Sequence, residues 1–345
     1  MKRNQIYKII ILIAALVLVV LVLWWSGDKP GSTSTNQEKP AVTEQPVIEE
    51  GGESFDAVSI PALMQKEFNG RDLTFSRVLD DNTVYTRYYI TYKSGELTIS
   101  GIMNIPKGNG PFPVLFLNHG HIDTSIYTNG RGLKREQDYL ARRGFAVLHS
   151  DYRGHADSTK DPNADINFRL GYVEDVINAI YAVKNSNAPQ LNSIDKNNIG
   201  MLGHSMGGGV TLGVLVTKPE LVKASVLFAP VSGDVRDNFE RWITRRPETA
   251  KRIIELHGLP EDNPDFWDNV SPKEFYEKIQ TPILLHHGTA DDSVPIEWSD
   301  KLNDQLTAIN KPIEYKVYPG QPHEFTSAWP NVMQTTLDFF TEHLK

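Results

Sequence analysis

The apolar stretch Ile199-Gly200-Met201-Leu202 runs into Gly203-His204-Ser205-Met206-Gly207-Gly208-Gly209 and then into a helix-forming segment, residues 210–218. A strand, a Gly-x-Ser-x-Gly turn and a helix in that order fit a nucleophile elbow. Such a turn holds its serine on a strained backbone so that the hydroxyl points outward. Side chains two residues to either side would collide with it, so both places are glycine. The following helix aims its positive end and free N–H groups at the serine, where an oxyanion would form. The competing reading is an ordinary glycine-rich strand–helix turn.

The flanking sequence decides between them. Residues 114–117 and 145–149 are short apolar runs, suited to buried strands, and residues 224–228, 282–286 and 313–318 read as further strands. Segments of helical spacing separate them. One surrounds residues 133–143, another repeats Val173, Val176, Ile177, Ile180 and Tyr181, and a terminal one aligns Met333, Leu337, Phe340 and Leu344. Residues 86–93 and 97–105, around Ser94-Gly95, give a hairpin signal. This alternation predicts an α/β fold with a mainly parallel central sheet flanked by helices. Residues 232–278 break the rhythm. They are helix-prone, charged and longer than a crossover helix, and are expected to form a helical cap insertion over the active-site edge.

Ligands in such sheets gather at the carboxyl ends of strands. Ser205, Asp291 and His323 each follow a predicted strand, in the chain order of the α/β-hydrolase triad. A serine hydroxyl needs a neighbouring base, and the base needs an acceptor to hold its tautomer and charge. His323 is the candidate base and Asp291 the candidate acid. His204, His286, His287 and His343 suit the base role less well by position. Asp292 is read as a surface or capping carboxylate, and Asp234 as an alternative acid. The backbone N–H of Met206 and, from the loop after Leu117, that of His121 are the expected oxyanion donors, with Gly120 leaving room for the approach. The competing reading of Asn118-His119-Gly120-His121 is a tight strand-end turn.

Three further features bear on function. His119-x-His121-x-Asp123 resembles a metal-binding spacing, but no further histidine follows closely, so neither a metal nor any other cofactor is expected. Asp151-Tyr152-Arg153-Gly154-His155-Ala156-Asp157-Ser158 is expected to be a structural turn shaping the pocket floor. Arg241, Arg245, Arg246, Lys251 and Arg252 make the insertion locally basic. A solvated helix face is the favoured reading there, and a site for acidic substrates the alternative.

Composition excludes some classes. The 345 residues include no cysteine, which removes disulfides, thiol catalysis and thiolate metal sites. The net charge is -8 without a long basic block, which argues against nucleic acid as a partner. Residues 9–25 carry no charged side chain, follow Lys2, Arg3 and Lys8, and end in Trp24-Trp25. They are expected to be an uncleaved single-pass anchor within residues 1–25, with the rest of the chain on the extracytoplasmic side. Residues 26–54 are rich in Ser, Thr, Pro, Gly and Glu and are expected to be a disordered linker. The hydrolase domain is then residues 55–345.

The motifs around Ser205, residues 151–155, His287-Gly288-Thr289-Ala290-Asp291-Asp292 and His323 resemble the catalytic domain of the prolyl oligopeptidase family, within the α/β-hydrolase superfamily. The resemblance covers roughly residues 86–345. It implies peptide-bond hydrolysis through an acyl-enzyme, with the first of the two aspartates as triad acid; related domains cleave esters. Two departures stand out. Nothing here is long or repetitive enough for the propeller of the family's large peptidases. Asn118 or His119 stands where the family often has a tyrosine. The expected substrate is a short peptide, with a carboxylesterase as the alternative and a catalytically silent binding domain as the remote one.

Overall fold

A computed structural model describes residues 47–50 and 53–345. The expected anchor and most of the expected linker lie outside these residues. The described chain opens with an antiparallel ribbon, β1 (Val47–Glu50) with β2 (Glu53–Asp56), whose first strand falls within the stretch read as a linker. A short helix α1 (Ile60–Gln65) follows. Then come β3 (Arg71–Asp81), β4 (Tyr85–Ser94), β5 (Leu97–Pro106), β6 (Phe112–Asn118), α2 (Lys134–Ala141), β7 (Ala146–Ser150), α3 (Leu170–Asn185), β8 (Ile194–His204), α4 (Met206–Thr217) and β9 (Ala224–Phe228). The insertion contributes α5 (Val235–Asn238), α6 (Pro247–His257) and α7 (Pro264–Asn269). The chain closes with β10 (Ile283–Gly288), α8 (Ile296–Ala308), β11 (Ile313–Tyr318) and α9 (Trp329–Leu344).

Nine strands form one sheet in the order β11-β10-β9-β8-β6-β7-β5-β4-β3. From β7 to β11 every pairing is parallel, and β3, β4 and β5 add an antiparallel edge. The middle strands are buried along their length because helices cover both faces. Their side chains alternate between two cores. Val114, Phe116 and Met201 join the core under α3 and α4, while Leu115, Leu117 and Leu202 join the core under α2 and α9. The fold is that of an α/β-hydrolase. β3 had no counterpart in the sequence reading, since most of its residues are exposed at the sheet edge and its polar sequence lacks an apolar period.

Register sets the site. Asn118 pairs with Gly203, His204 with Phe228, and Gly288 with Tyr318. The carboxyl ends of β6, β8, β9, β10 and β11 therefore finish along one rim, and the loops that leave them share one edge. Above that edge, residues 232–278 pack as short helices. A wider π-type turn, Phe239–Ile243, continues α5 and is a common feature beside functional sites. Trp267 of α7 is fully buried and anchors this layer against Phe168 and Phe239, with ring centroids 5.2 and 5.0 Å away. Among the described residues, no helix is long and apolar enough to cross a membrane.

Candidate active site

Ser205 sits between the last residue of β8 and the first of α4 with φ 56° and ψ -120°. A non-glycine residue held at positive φ costs on the order of 1–3 kcal/mol and marks a site where the fold enforces strain. Hydrogen bonds enforce it here. The Ser205 N–H donates to the Phe228 carbonyl at 2.9 Å, and its own carbonyl accepts from Gly208 and Val231 at 2.9 and 3.1 Å. Glycine is required on both sides. A Cβ on Gly203 would lie 2.3 Å from the Gly207 carbonyl oxygen, and one on Gly207 would lie 2.0 Å from that of Asn118. Both obstacles are backbone, so neither can give way.

The loop leaving β6 passes across the serine. A Cβ at Gly120 would stand 3.2 Å from that of Ser205. His121, Ser205, Met206 and His323 border one cavity of about 490 Å³. Met206 opens α4, so its N–H has no carbonyl four residues back within the helix to donate to. Burial, then the nearby Arg169, lowers the His121 imidazole, which stays neutral near pH 7.

His323 lies in the loop after β11, and its Nδ1 is 2.6 Å from Oδ2 of Asp291. Asp291 sits in the turn after β10. Its Oδ1 accepts from the N–H groups of Ser293 and Val294, both at 2.9 Å. Burial works to raise the Asp291 carboxyl, but hydrogen bonds from His287, His323 and Val294 outweigh it and hold the group well below the usual carboxylate range. Asp291 is therefore an anion at neutral pH, and the His323 nitrogen that faces it carries the proton. The other ring nitrogen is free for a second partner.

Two more histidines brace this pair. His204 packs against His323 with ring centroids 4.4 Å apart and planes tilted by 40°, and its Nε2 lies 3.3 Å from the His323 carbonyl oxygen. Burial, then the neighbouring His323, pushes His204 down to about 4, so it stays neutral. His287 is fully buried beneath Asp291. Its Nε2 lies 3.1 Å from the Val294 carbonyl oxygen and 3.2 Å from Asp291 Oδ2. Both are acceptors, so Nε2 bears the hydrogen and Nδ1 accepts from the Ser299 hydroxyl at 2.6 Å. In the sequence His287 is legible as a strand end and as the first residue of the motif that runs to Asp292, but not as a donor to Asp291.

The alternatives have other partners. Asp234 caps α5, accepting from the Arg236 N–H at 3.0 Å, and pairs with Lys273 at 3.0 Å. Asp292 is exposed beside Ser293. His286 hydrogen-bonds the Tyr318 hydroxyl at 2.8 Å within the core, and His343 packs on Phe339 in the terminal helix. His119 is buried against Tyr152, 4.4 Å between ring centroids, while Asp123 accepts from Ser125. His119, His121 and Asp123 thus turn to different neighbours.

The turn at residues 151–158 does not reach the cavity, contrary to the expectation that it shapes the pocket floor. Asp151 is buried and accepts from Tyr127, Asn129, Gly130 and Ser100 at 2.6–2.8 Å, which ties the loop after β6 to the sheet. Arg153 makes a buried bidentate pair with Asp175. The cavity is instead walled by α3, α4 and the insertion.

Comparison with known proteins gives a consistent answer. Residues 132–345 match the family model described as the prolyl oligopeptidase family. An uncharacterized peptidase of Bacillus subtilis, YtmA, is 28% identical over 69% of this chain and 86% of its own length. Dipeptidyl aminopeptidase BIII of Pseudoxanthomonas mexicana is 27% identical over 71% of this chain but 34% of its own length. The chain spans 29–38% of the lengths of this and three other curated relatives. Acetyl xylan esterase 1 from Thermoanaerobacterium has a similar fold, with a TM-score of 0.57 and 18% identity over 83% of this chain and 92% of its own. A match over this much of the chain, on this fold, makes the chain a member of the prolyl oligopeptidase family of serine hydrolases.

Proposed function

We propose that this hydrolase cleaves short peptides by acyl transfer through Ser205, His323 and Asp291. Ser205 Oγ attacks the scissile carbonyl carbon while the free nitrogen of His323 takes its proton. Asp291 holds the imidazole in that tautomer and stabilises the imidazolium. The N–H groups of Met206 and His121 receive the oxyanion. On collapse the C–N bond breaks and His323 returns the proton to the leaving amine. Water, deprotonated by His323, then cleaves the acyl-enzyme and releases Ser205.

The observation that carries this reading is the 2.6 Å contact between His323 and Asp291 beside a strained Ser205 on the same cavity. The peptidase names of the curated relatives support a peptide substrate. A second reading, a carboxylesterase, uses the same groups and draws support from the likeness in extent to the acetyl xylan esterase. We further propose that residues 9–25 anchor the chain in a membrane with the hydrolase domain on the extracytoplasmic side. Its support is the uncharged run behind a basic flank.

A fluorophosphonate probe tests the nucleophile. The full-length protein is expected to be labelled and its Ser205→Ala variant not; labelling that survives the change discards the assignment. Comparing p-nitrophenyl esters with aminoacyl and prolyl amides separates the two substrate readings by kcat/KM.

A further inference from the structure

The cationic residues of the insertion have separate destinations. Arg241 reaches the carbonyls of Asp292 and Ser293, Lys251 lies 3.8 Å from Glu255, and Arg252 reaches Asn163. Only Arg246 of the five borders the cavity. Its Nη1 is 2.5 Å from Oδ2 of Asp165, and the other oxygen of that carboxylate takes Nε of Arg169 at 2.9 Å. Burial works to raise Asp165, but Arg169 and Arg246 outweigh it and keep it ionised. Two guanidiniums therefore face one carboxylate at the cavity wall, leaving one positive charge unmatched there. Both arginines keep part of their surface open, 25% for Arg169 and 38% for Arg246, so a ligand can reach them.

The rest of the wall is of the opposite character. Phe168, Val173, Val210, Phe239, Trp242 and Val270 make it apolar. Along α4 the lining residues are Met206, Gly209, Val210 and Gly213, one face of two helical turns. The groove therefore extends about 12 Å from Ser205 at 1.5 Å per residue. Phe168 and Arg169 are held at φ 49° and 59°, consecutive left-handed residues that carry their side chains to this wall. Strain of this kind persists where surrounding structure over-determines it, and clusters at ligand sites.

We propose that the site selects substrates joining an apolar group to a free carboxylate, the apolar group lying along α4 and the carboxylate meeting Arg169 and Arg246. The inference rests on the serine-hydrolase reading above and adds its substrate class. The carboxylate is either the free C-terminus of the leaving amino acid or an acid carried on the acyl part. The competing explanation is a latch, in which Arg246 and Asp165 only fasten the insertion to the body.

Steady-state kinetics on the full-length protein test it with two matched pairs. N-acetyl-Phe-Ala is compared with its C-terminal amide, and succinyl-Phe p-nitroanilide with acetyl-Phe p-nitroanilide. The carboxylate member of one pair is expected to have a kcat/KM about tenfold higher, the scale of a charge-assisted bidentate contact, and the pair that responds identifies the source. Arg246→Gln and, independently, Arg169→Gln should bring that ratio close to one, and Asp165→Asn should raise it. Raising the salt concentration should reduce the ratio without any substitution. A ratio near one in both pairs, or a ratio unmoved by both arginine variants and by salt, overturns the proposal and leaves the latch. Failure of the nucleophile reading looks different: labelling and hydrolysis of both pairs would survive Ser205→Ala.

Discussion

His287 Nε2 lies 3.2 Å from the same Asp291 oxygen that His323 contacts at 2.6 Å. The two imidazoles share one carboxylate oxygen, one buried and one at the cavity. Asp291 thus receives four donors, two of them backbone N–H groups. Removing His287 should leave the acid in place but free to turn. His287→Leu is expected to lower kcat by about ten- to a hundredfold, the scale of a buried hydrogen bond to a charged group. Turnover measured beside circular dichroism checks this. A change under threefold with the fold intact would make His287 mere packing.

Asp291 and Asp234 make contrasting predictions. Asp291→Asn should lower kcat by roughly 10³- to 10⁴-fold by reversing the tautomer of the histidine it holds. Asp234→Ala should cost about 1 kcal/mol of stability as a lost helix cap and leave turnover nearly unchanged. Urea unfolding and ester turnover of both variants separate the roles. A comparable loss of turnover from Asp234→Ala would move the acid.

Arg241 links the insertion to the turn that carries the acid. Its Nε and Nη2 donate to the carbonyls of Ser293 and Asp292 at 2.9 and 3.1 Å, immediately after Asp291. Lysine cannot reproduce that forked pair of donors. Arg241→Lys is expected to lower kcat/KM by about tenfold, with little change in melting temperature because both partners are exposed. Equal losses of activity and thermal stability would reduce Arg241 to a fastening of the insertion.

Acid should unfold the protein through its buried histidines. Burial, then His155, pushes His119 down to about 3; burial, then Lys316, does the same to His286; His204 is near 4. Each folded value is depressed below the ordinary 6.5, so the unfolded chain binds more protons between the two. Stability is therefore complete above pH 6.5 and falls as pH drops toward 3–4. At pH 5 each group costs about 2 kcal/mol on this linkage. Urea midpoints between pH 7 and pH 5 should show the fall. His286→Gln, which does not titrate, should make it shallower; an unchanged slope would exclude His286 as a contributor.

Local pattern carried much of the architecture. The buried strand at 224–228 is legible to the residue, because a strand covered on both faces must be apolar throughout and turn residues bound it; the edge strand at 313–318 is half exposed and is legible from its alternating β-branched and aromatic residues. The elbow is legible because its glycines flank the serine within five residues, although the clash that requires glycine at 207 comes from Asn118 at the end of another strand. β3 was not, since an exposed edge strand has no side-chain period to display. The turn at 151–158 was read as pocket floor because it follows a strand on the correct rim. Asp151 is held instead under the loop after β6 by Tyr127, and Arg153 is paired with Asp175 of α3.

What the chain's order of residues determined by itself is the kind of chemistry available: a strained serine, a later acid, a last histidine, and no thiol. Only the tertiary structure decided what surrounds them. The meeting of Asp291 with His323, the grip of Arg241 on the turn after β10, and the meeting of Asp165, Arg169 and Arg246 join segments up to 81 residues apart. Such contacts leave no local period, because strand register and the docking of the insertion create them after each segment has already formed.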